Sequence, residues 1–83
     1  MEKTIAYLRE TISNYINEHE ISQRIYEKIL KEKYKNEDAF VNDLTEDEVR
    51  YLNDILPDEL RYAKDEQDDK RYDELNNIYG RLP

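Results

Sequence analysis

The scarcity of helix-breaking residues most constrains what this chain can fold into. Its 83 residues include one glycine, Gly80, and two prolines, Pro57 and the terminal Pro83. Glycine and proline are the strongest local interruptions of regular structure, so the chain has few places to turn. Cysteine is absent, which excludes a disulfide framework and thiol chemistry. The rest of the sequence favours helices.

Apolar residues recur at helical spacing through the first half of the chain. The first stripe predicts a helix from about residue 2 to residue 18 and consists of Ile5, Leu8, Ile12, Tyr15 and Ile16. The second stripe predicts a helix that Ser22 caps and Asn36 ends, and it consists of Ile25, Tyr26, Ile29, Leu30 and Tyr34. A short apolar group between Ala39 and Leu44 predicts a helical turn that places apolar side chains between the longer helices.

The second half opens on a helix-start signal. Thr45 and Glu48 have the spacing of a capping box, in which each side chain accepts a hydrogen bond from a backbone N–H. The helix that follows is expected to stop at Pro57, because proline suits the first turn of a new helix. Residues 47–52 recur in similar form at 58–63, and the capping needs of two helix starts explain the acidic pair that opens each copy.

The last segment, residues 60–79, forms either one helix or two helices with a joint near Asp68. We favour a single helix, because its apolar residues would then share one side. Gly80 is placed to cap its C-terminus. We therefore predict an all-α fold, a small antiparallel bundle of four or five helices that forms one domain over residues 1–83.

Charge is distributed unevenly along the chain. Of the net charge of −8, residues 1–36 carry +1 and residues 37–83 carry −9. Non-specific DNA binding depends largely on cations that neutralise phosphates, so we expect no nucleic-acid partner. No apolar run exceeds four residues, which excludes a transmembrane helix and the apolar region of a signal peptide. We therefore expect no membrane partner and a protein that stays in the cytoplasm where it is made.

Eight tyrosines stand beside one phenylalanine and no tryptophan. Tyrosine buries a ring while its hydroxyl stays in water, so one interpretation places these side chains at the margins of a thin core. Tyrosine and arginine are also enriched where proteins bind each other. The second interpretation is a protein-binding surface, with a protein partner or a second copy of the chain, and its candidate residues are Tyr51, Tyr62, Tyr72, Tyr79, Arg61 and Arg71.

Catalytic and metal-binding patterns are missing. His19 is the sole histidine and is predicted to be a solvated turn residue. The acidic run at residues 65–69 lacks the glycine that a calcium loop needs for its sharp turn. No nucleophile triad, phosphate loop or zinc spacing is present. We expect no enzyme, no catalytic residue, no cofactor and no metal.

A basic group is predicted at the end of the second helix. Its members are Lys28, Lys31, Lys33 and Lys35. Cations at a helix C-terminus complement the helix dipole, which is sufficient reason for their position. The alternative is that they attach to the acidic half of another copy.

Read as a whole, the sequence resembles the sigma-G-dependent sporulation-specific SASP (CsgA) family of Bacillus, which is distinct from the curli subunit of the same name. The matching pieces occur in order along nearly the whole chain, and together they make the resemblance specific. The strongest are Tyr62-Ala63, Glu66-Gln67-Asp68, Lys70-Arg71, Glu74-Leu75-Asn76 and Tyr79, preceded by Tyr7-Leu8-Arg9-Glu10, Ser13-Asn14, Gln23-Arg24, Tyr34, Asn36-Glu37, Phe40-Val41 and Asp43-Leu44.

The resemblance implies a sporulation-specific protein made in the forespore, and therefore located in the forespore or spore core. It implies no catalytic residues and no known molecular activity. We predict a non-enzymatic protein that acts through protein–protein contacts, as a homodimer or with another partner. The alternatives are a DNA-associated small acid-soluble spore protein and an acidic inhibitor that mimics nucleic acid.

Overall fold

A computed structural model describes residues 1–17, 19–31 and 33–83. Within these residues the chain forms five helices and no strand, which confirms the all-α bundle. The helices are α1 (Glu2–Ser13), α2 (Glu20–Lys31), α3 (Glu37–Asn42), α4 (Glu46–Asp65) and α5 (Asp69–Tyr79). Helix α5 packs against both α1 and α4, and α2 packs against α1 and α4. The core consists of Leu8, Ile12, Ile25, Ile29, Phe40, Val41, Leu52, Leu56, Leu60, Leu75 and Ile78.

The connection between α1 and α2 begins earlier than the apolar stripe predicted. Helix α1 ends at Ser13 instead of near residue 18, and Glu18 lies outside the described residues. The prediction that Ser22 caps α2 is wrong, because Ser22 is fully buried within the helix. Its hydroxyl donates to the backbone carbonyls of Tyr15 at 2.8 Å and His19 at 2.7 Å. The serine therefore fastens the connecting turn to α2.

The prediction that Asn36 ends the second helix is also wrong. Helix α2 ends at Lys31, and Asn36 is instead the N-cap of α3. Its side-chain oxygen accepts a hydrogen bond from the Ala39 N–H at 2.8 Å, which is the ordinary role of asparagine at a helix start. The short helix that it starts places Phe40 and Val41 in the core, as predicted.

Helix α4 begins as the sequence predicts and continues further than expected. The Glu48 N–H donates to Thr45 Oγ1 at 3.2 Å, and the Thr45 N–H donates to Glu48 Oε1 at 2.8 Å, which confirms the capping box. Pro57 does not end the helix, because α4 runs through it to Asp65. The repeated segments 47–52 and 58–63 are therefore two parts of one helix. An offset of eleven residues is about three turns, so the copies share a face.

Residues 66–68 separate α4 from α5, so the preference for one long helix was wrong, whereas the joint near Asp68 was placed correctly. Helix α4 ends in a Schellman motif, with Asp68 N–H donating to the Ala63 carbonyl and Gln67 N–H to the Lys64 carbonyl. Gln67 has φ 58°, in the left-handed region that glycine usually occupies at this position. Asp68 then caps α5 by accepting from the Arg71 N–H at 3.2 Å.

The C-cap of α5 lies at the predicted residue, but its backbone does not adopt the left-handed conformation that is usual for glycine there. Gly80 is the C-cap, which confirms its predicted position. Its φ of −66° is right-handed, so the freedom of glycine to adopt positive φ is not used there. A Cβ at this position would lie 3.2 Å from the Asn76 carbonyl oxygen. Glycine therefore suits this position because it lets the backbone pass close to the Asn76 carbonyl oxygen.

Candidate interaction surface

The six residues predicted for a protein-binding surface have two different environments. Tyr62 is 54% exposed, and Arg61 beside it is also exposed. Tyr51, Tyr72 and Tyr79 are half-buried against the core. These three match the interpretation of tyrosines as the margin of a thin core. Arg71 is half-buried in ion pairs between helices, so the surface members of the set are Tyr62 and Arg61.

Arg61 holds a defined position over the Tyr62 ring. Its guanidinium carbon lies 5.8 Å from the ring centroid, within the range of a cation–π contact. The same guanidinium donates to Asp58 Oδ1 at 2.9 Å, one helical turn earlier. Asp65 and Glu66 follow Tyr62 at helical spacing and are exposed. Tyr62 is thus an exposed aromatic side chain on a mainly acidic face of α4.

A cluster of rings and one carboxyl lies between the α1–α2 turn and α4. The Tyr15 ring meets the Tyr51 ring edge-on at 6.4 Å, and the His19 ring lies 5.6 Å from Tyr51. Burial, followed by the charge and hydrogen bond of Glu59, raises the pKa of Tyr15 to about 12. Burial also raises the pKa of Glu59, and its hydrogen bond with Tyr15 offsets part of that rise. The turn and α4 are therefore joined by aromatic and polar contacts.

Arg71 joins the start of α5 to α1. Its Nη2 donates to Glu10 Oε1 at 2.7 Å, and its Nε donates to Asp68 Oδ2 at 3.3 Å. The hydrogen bond with Glu10 is the main reason that the pKa of Arg71 is raised. An arginine held in this way has a structural role, because its charge is already compensated within the chain.

Glu48 is the main ionic contact between α2 and α4. Its carboxylate is almost fully buried and pairs with Lys28 Nζ at 2.6 Å and Arg24 Nε at 3.6 Å. Lys28 also donates to the Asp43 carbonyl at 2.7 Å. The sequence predicted the capping role of Glu48 and missed this pairing, because i to i+20 partners leave no local pattern. Lys28 therefore has a structural role, and its charge is not free to bind a partner as part of the predicted basic group.

The last turn of α2 also carries an exposed apolar residue that the sequence placed in the core stripe. Leu30 is 56% exposed, because it is offset from buried Ile29 by one residue, about 100° around the helix. It borders a groove of about 390 Å³. The groove is lined by Met1, Glu2, Ile5, Ile29, Leu30, Lys33 and Tyr34. Of the basic group, Lys33 lines this groove, whereas Lys28 and Lys31 line a separate concavity beside Glu48. Lys33 and Lys35 are beyond the end of α2, and Glu32 is outside the described residues.

All four arginines of residues 37–83 are in ion pairs within the chain. Arg50 pairs with Glu46 and Asp47, and Arg81 pairs with Asp38 at 3.1 Å. Arg61 and Arg71 have the partners described above. These pairs leave the excess of carboxylates facing solvent, without a row of free arginines for phosphate.

Neither metal chemistry nor a membrane span is indicated by the described residues. No group of three or more His, Cys, Asp and Glu side chains within residues 1–17, 19–31 and 33–83 is arranged to hold a metal ion. In the acidic run, Asp68 is occupied as the cap of α5. Among the described helices, none is sufficiently long and apolar to cross a bilayer.

Comparison with known proteins places the chain in a family. Residues 1–83 match the CsgA family model, which is described as minor curli fiber component A. The chain is also 48% identical over 82 residues, 99% of each chain, to the sigma-G-dependent sporulation-specific SASP protein of Bacillus subtilis (strain 168). No solved structure matches it. The family description names a fibre component, whereas the described residues here form helices and no strand. The chain belongs to the CsgA family, as its ordered motifs predicted.

Proposed function

We propose that this protein is a non-enzymatic, sporulation-specific protein of the forespore or spore core that acts by binding another protein. The sporulation role rests on the name of the Bacillus subtilis relative, with which the chain shares 48% identity along its length. The observation that carries the binding role is Tyr62. It is an exposed aromatic side chain beside Arg61 on a folded helix, whereas the tyrosines that pack against the core are half-buried.

The charge of the α4–α5 surface favours a protein over DNA as the partner. Residues 37–83 carry −9, and four of the six cations there are in ion pairs with carboxylates of the same chain. A phosphate contact by any of these four requires the cation to leave its pair, and the surrounding carboxylates repel the duplex. A DNA-coating role would therefore bring the DNA phosphates against the net negative charge of residues 37–83, which are more than half of the chain.

A titration with duplex DNA at low salt separates these two functions. Low salt strengthens any phosphate contact, so it gives DNA binding the best chance to appear. We expect no change in DNA mobility at tens of micromolar protein. A salt-dependent shift would overturn the proposed function in favour of the DNA-associated alternative.

Affinity capture from sporulating cells tests the protein-binding role. Tagged wild-type protein is compared with Tyr62→Ser, which removes the exposed ring, and with Asn76→Ala, a control at another exposed helix position. We expect a protein that the wild type and Asn76→Ala retain and Tyr62→Ser loses. Equal recovery with all three baits would contradict a role for Tyr62. Recovery of a basic nucleic-acid enzyme would instead support the acidic mimic.

A further inference from the structure

Two large apolar side chains are exposed among the described residues, Leu30 at 56% and Tyr62 at 54%. Each has a defined setting. Tyr62 lies in the last turn of the 20-residue helix α4, and Leu30 borders the groove of about 390 Å³ next to Ile5 and Tyr34. One is an exposed ring, and the other borders a concavity lined in part by apolar side chains.

The two sites lie at opposite ends of α1. The groove includes Met1, Glu2 and Ile5, at the start of that helix. Tyr62 is close enough to Tyr15, two residues beyond the end of α1, to contribute to the raised pKa of its phenol. Twelve helical residues span about 18 Å. The ring and the groove of one molecule therefore cannot meet each other, and they are available to different neighbours.

The sites also have opposite charge. Residues 28–35, which adjoin the groove, contain four lysines and one glutamate. Residues 58–69, which surround Tyr62, contain six carboxylates and two cations. Lys28 is occupied by Glu48, Lys31 lines the separate concavity beside Glu48, and Glu2 lines the groove. The attraction therefore comes mainly from Lys33, which lines the groove, and from exposed Lys35 two residues later. Complementary potentials of this kind set the orientation of an encounter.

We propose that the partner of the Tyr62 surface is the Leu30 groove of a second copy of this chain, so that copies associate head to tail. This inference rests on the proposed function, because it names the protein that the Tyr62 surface binds. A head-to-tail contact uses two different surfaces, so an assembly keeps one unoccupied surface at each end. Further copies can therefore add unless the assembly closes into a circle. The contact is small, so association increases with protein concentration and weakens as salt screens the charges.

Complementation between two half-blocked variants tests this arrangement. Leu30→Ser removes the groove wall and keeps Tyr62, whereas Tyr62→Ser removes the ring and keeps the groove. Both positions are exposed, so both variants are expected to fold, which circular dichroism verifies. In sedimentation velocity at low salt, the wild type should form a series of sizes that grows with concentration, and each variant alone should remain at the 10.2 kDa monomer.

An equimolar mixture of the variants should stop at the dimer, because one functional ring meets one functional groove and the outer ends are blocked. Asn76→Ala, a control elsewhere on α5, should behave like the wild type. A wild type that stays monomeric at every concentration, a single variant that still dimerises, or a mixture that stays monomeric would overturn the inference.

The two proposals fail in different ways. A monomeric wild type whose Tyr62-dependent capture yields a different protein would reject self-association and leave the binding role intact. A chain that shifts duplex DNA, with captured proteins unaffected by Tyr62→Ser, would reject the proposed function itself.

Discussion

Lys28 Nζ lies 2.6 Å from Glu48 Oε1, and this pair joins α2 to the first turn of α4. The same carboxylate oxygen accepts the Thr45 N–H at 2.8 Å, so one side chain both caps a helix and binds its neighbour. The carboxylate is almost fully buried, whereas Lys28 keeps partial contact with water. Loss of the carboxylate charge therefore leaves a cation that water can only partly hydrate.

Glu48→Gln is expected to destabilise the fold. Glutamine can still accept the capping hydrogen bond, so the loss isolates the ion pair, and we expect a decrease of about 1–2 kcal/mol in the free energy of unfolding. Chemical denaturation measures it. Glu46→Gln is the matched control, because Glu46 pairs with Arg50 at an exposed site where about 0–1 kcal/mol is typical. Equal losses in the two variants would contradict the role assigned to Glu48.

The stability of the protein is expected to fall in acid. Burial would raise the pKa of Glu48, but the hydrogen bonds from Lys28 and Thr45 and the charges of Lys28 and Arg24 lower it below 4.5. A carboxyl whose pKa is lower in the folded state than in the unfolded state stabilises the protein at pH values above its unfolded-state pKa. That stabilisation is lost as the pH falls through the folded-state pKa. Denaturation at a series of pH values should therefore show a decrease below pH 4.5 that Glu48→Gln makes shallower. An identical acid profile in both proteins would contradict this.

Gln67→Gly is expected to stabilise the joint between α4 and α5. A side chain at φ 58° costs about 1–2 kcal/mol, and glycine loses part of that gain through the greater freedom of the unfolded chain. The expected net change is about 0.5–1 kcal/mol, measured by thermal or chemical denaturation. Gln67→Ala retains Cβ and should change stability little. If alanine stabilised the protein as much as glycine, the backbone explanation would be wrong.

Pro57→Ala is expected to stabilise α4. Proline inside a helix removes one hydrogen-bond donor, here to the Asn53 carbonyl, and costs about 3 kcal/mol relative to alanine. The more flexible unfolded chain offsets about 0.4–1 kcal/mol, so we expect a gain of about 1–3 kcal/mol in denaturation experiments. Asp54→Ala, at an exposed position of the same helix, should give a smaller gain from propensity alone. A loss of stability in Pro57→Ala would show that the proline has a packing role.

Some local signals in the sequence predicted the structure correctly, and others failed because contacts with residues elsewhere in the fold decided the outcome. The Thr45–Glu48 capping box and the buried turn around Phe40 needed only neighbouring residues, and both predictions are confirmed. Ser22 looked like a cap because serine is a common one, but its hydroxyl binds carbonyls of the preceding turn. The residue type was visible in the sequence, whereas the hydrogen-bond partners of its hydroxyl were not.

The two helix boundaries of the second half show the same limit. Pro57 is a strong stop signal, and the packing of Leu52, Leu56 and Leu60 in the core overrides it. The joint at Gln67 has no glycine to mark it, so the residue type opposes the conformation that it adopts. Of the candidate surface, Tyr62 could be named from its type, but Leu30 could not, because one residue of helical offset separates it from buried Ile29.

Photo-crosslinking in sporulating cells tests the central claim, binding of a protein through Tyr62, most directly. A photoreactive phenylalanine analogue at position 62 is compared with the same group at exposed position 76. The account predicts a light-dependent protein adduct at position 62 and none at 76, with twice the 10.2 kDa mass if the partner is a second copy. Absence of a protein adduct at position 62, or equal adducts at both positions, would contradict it.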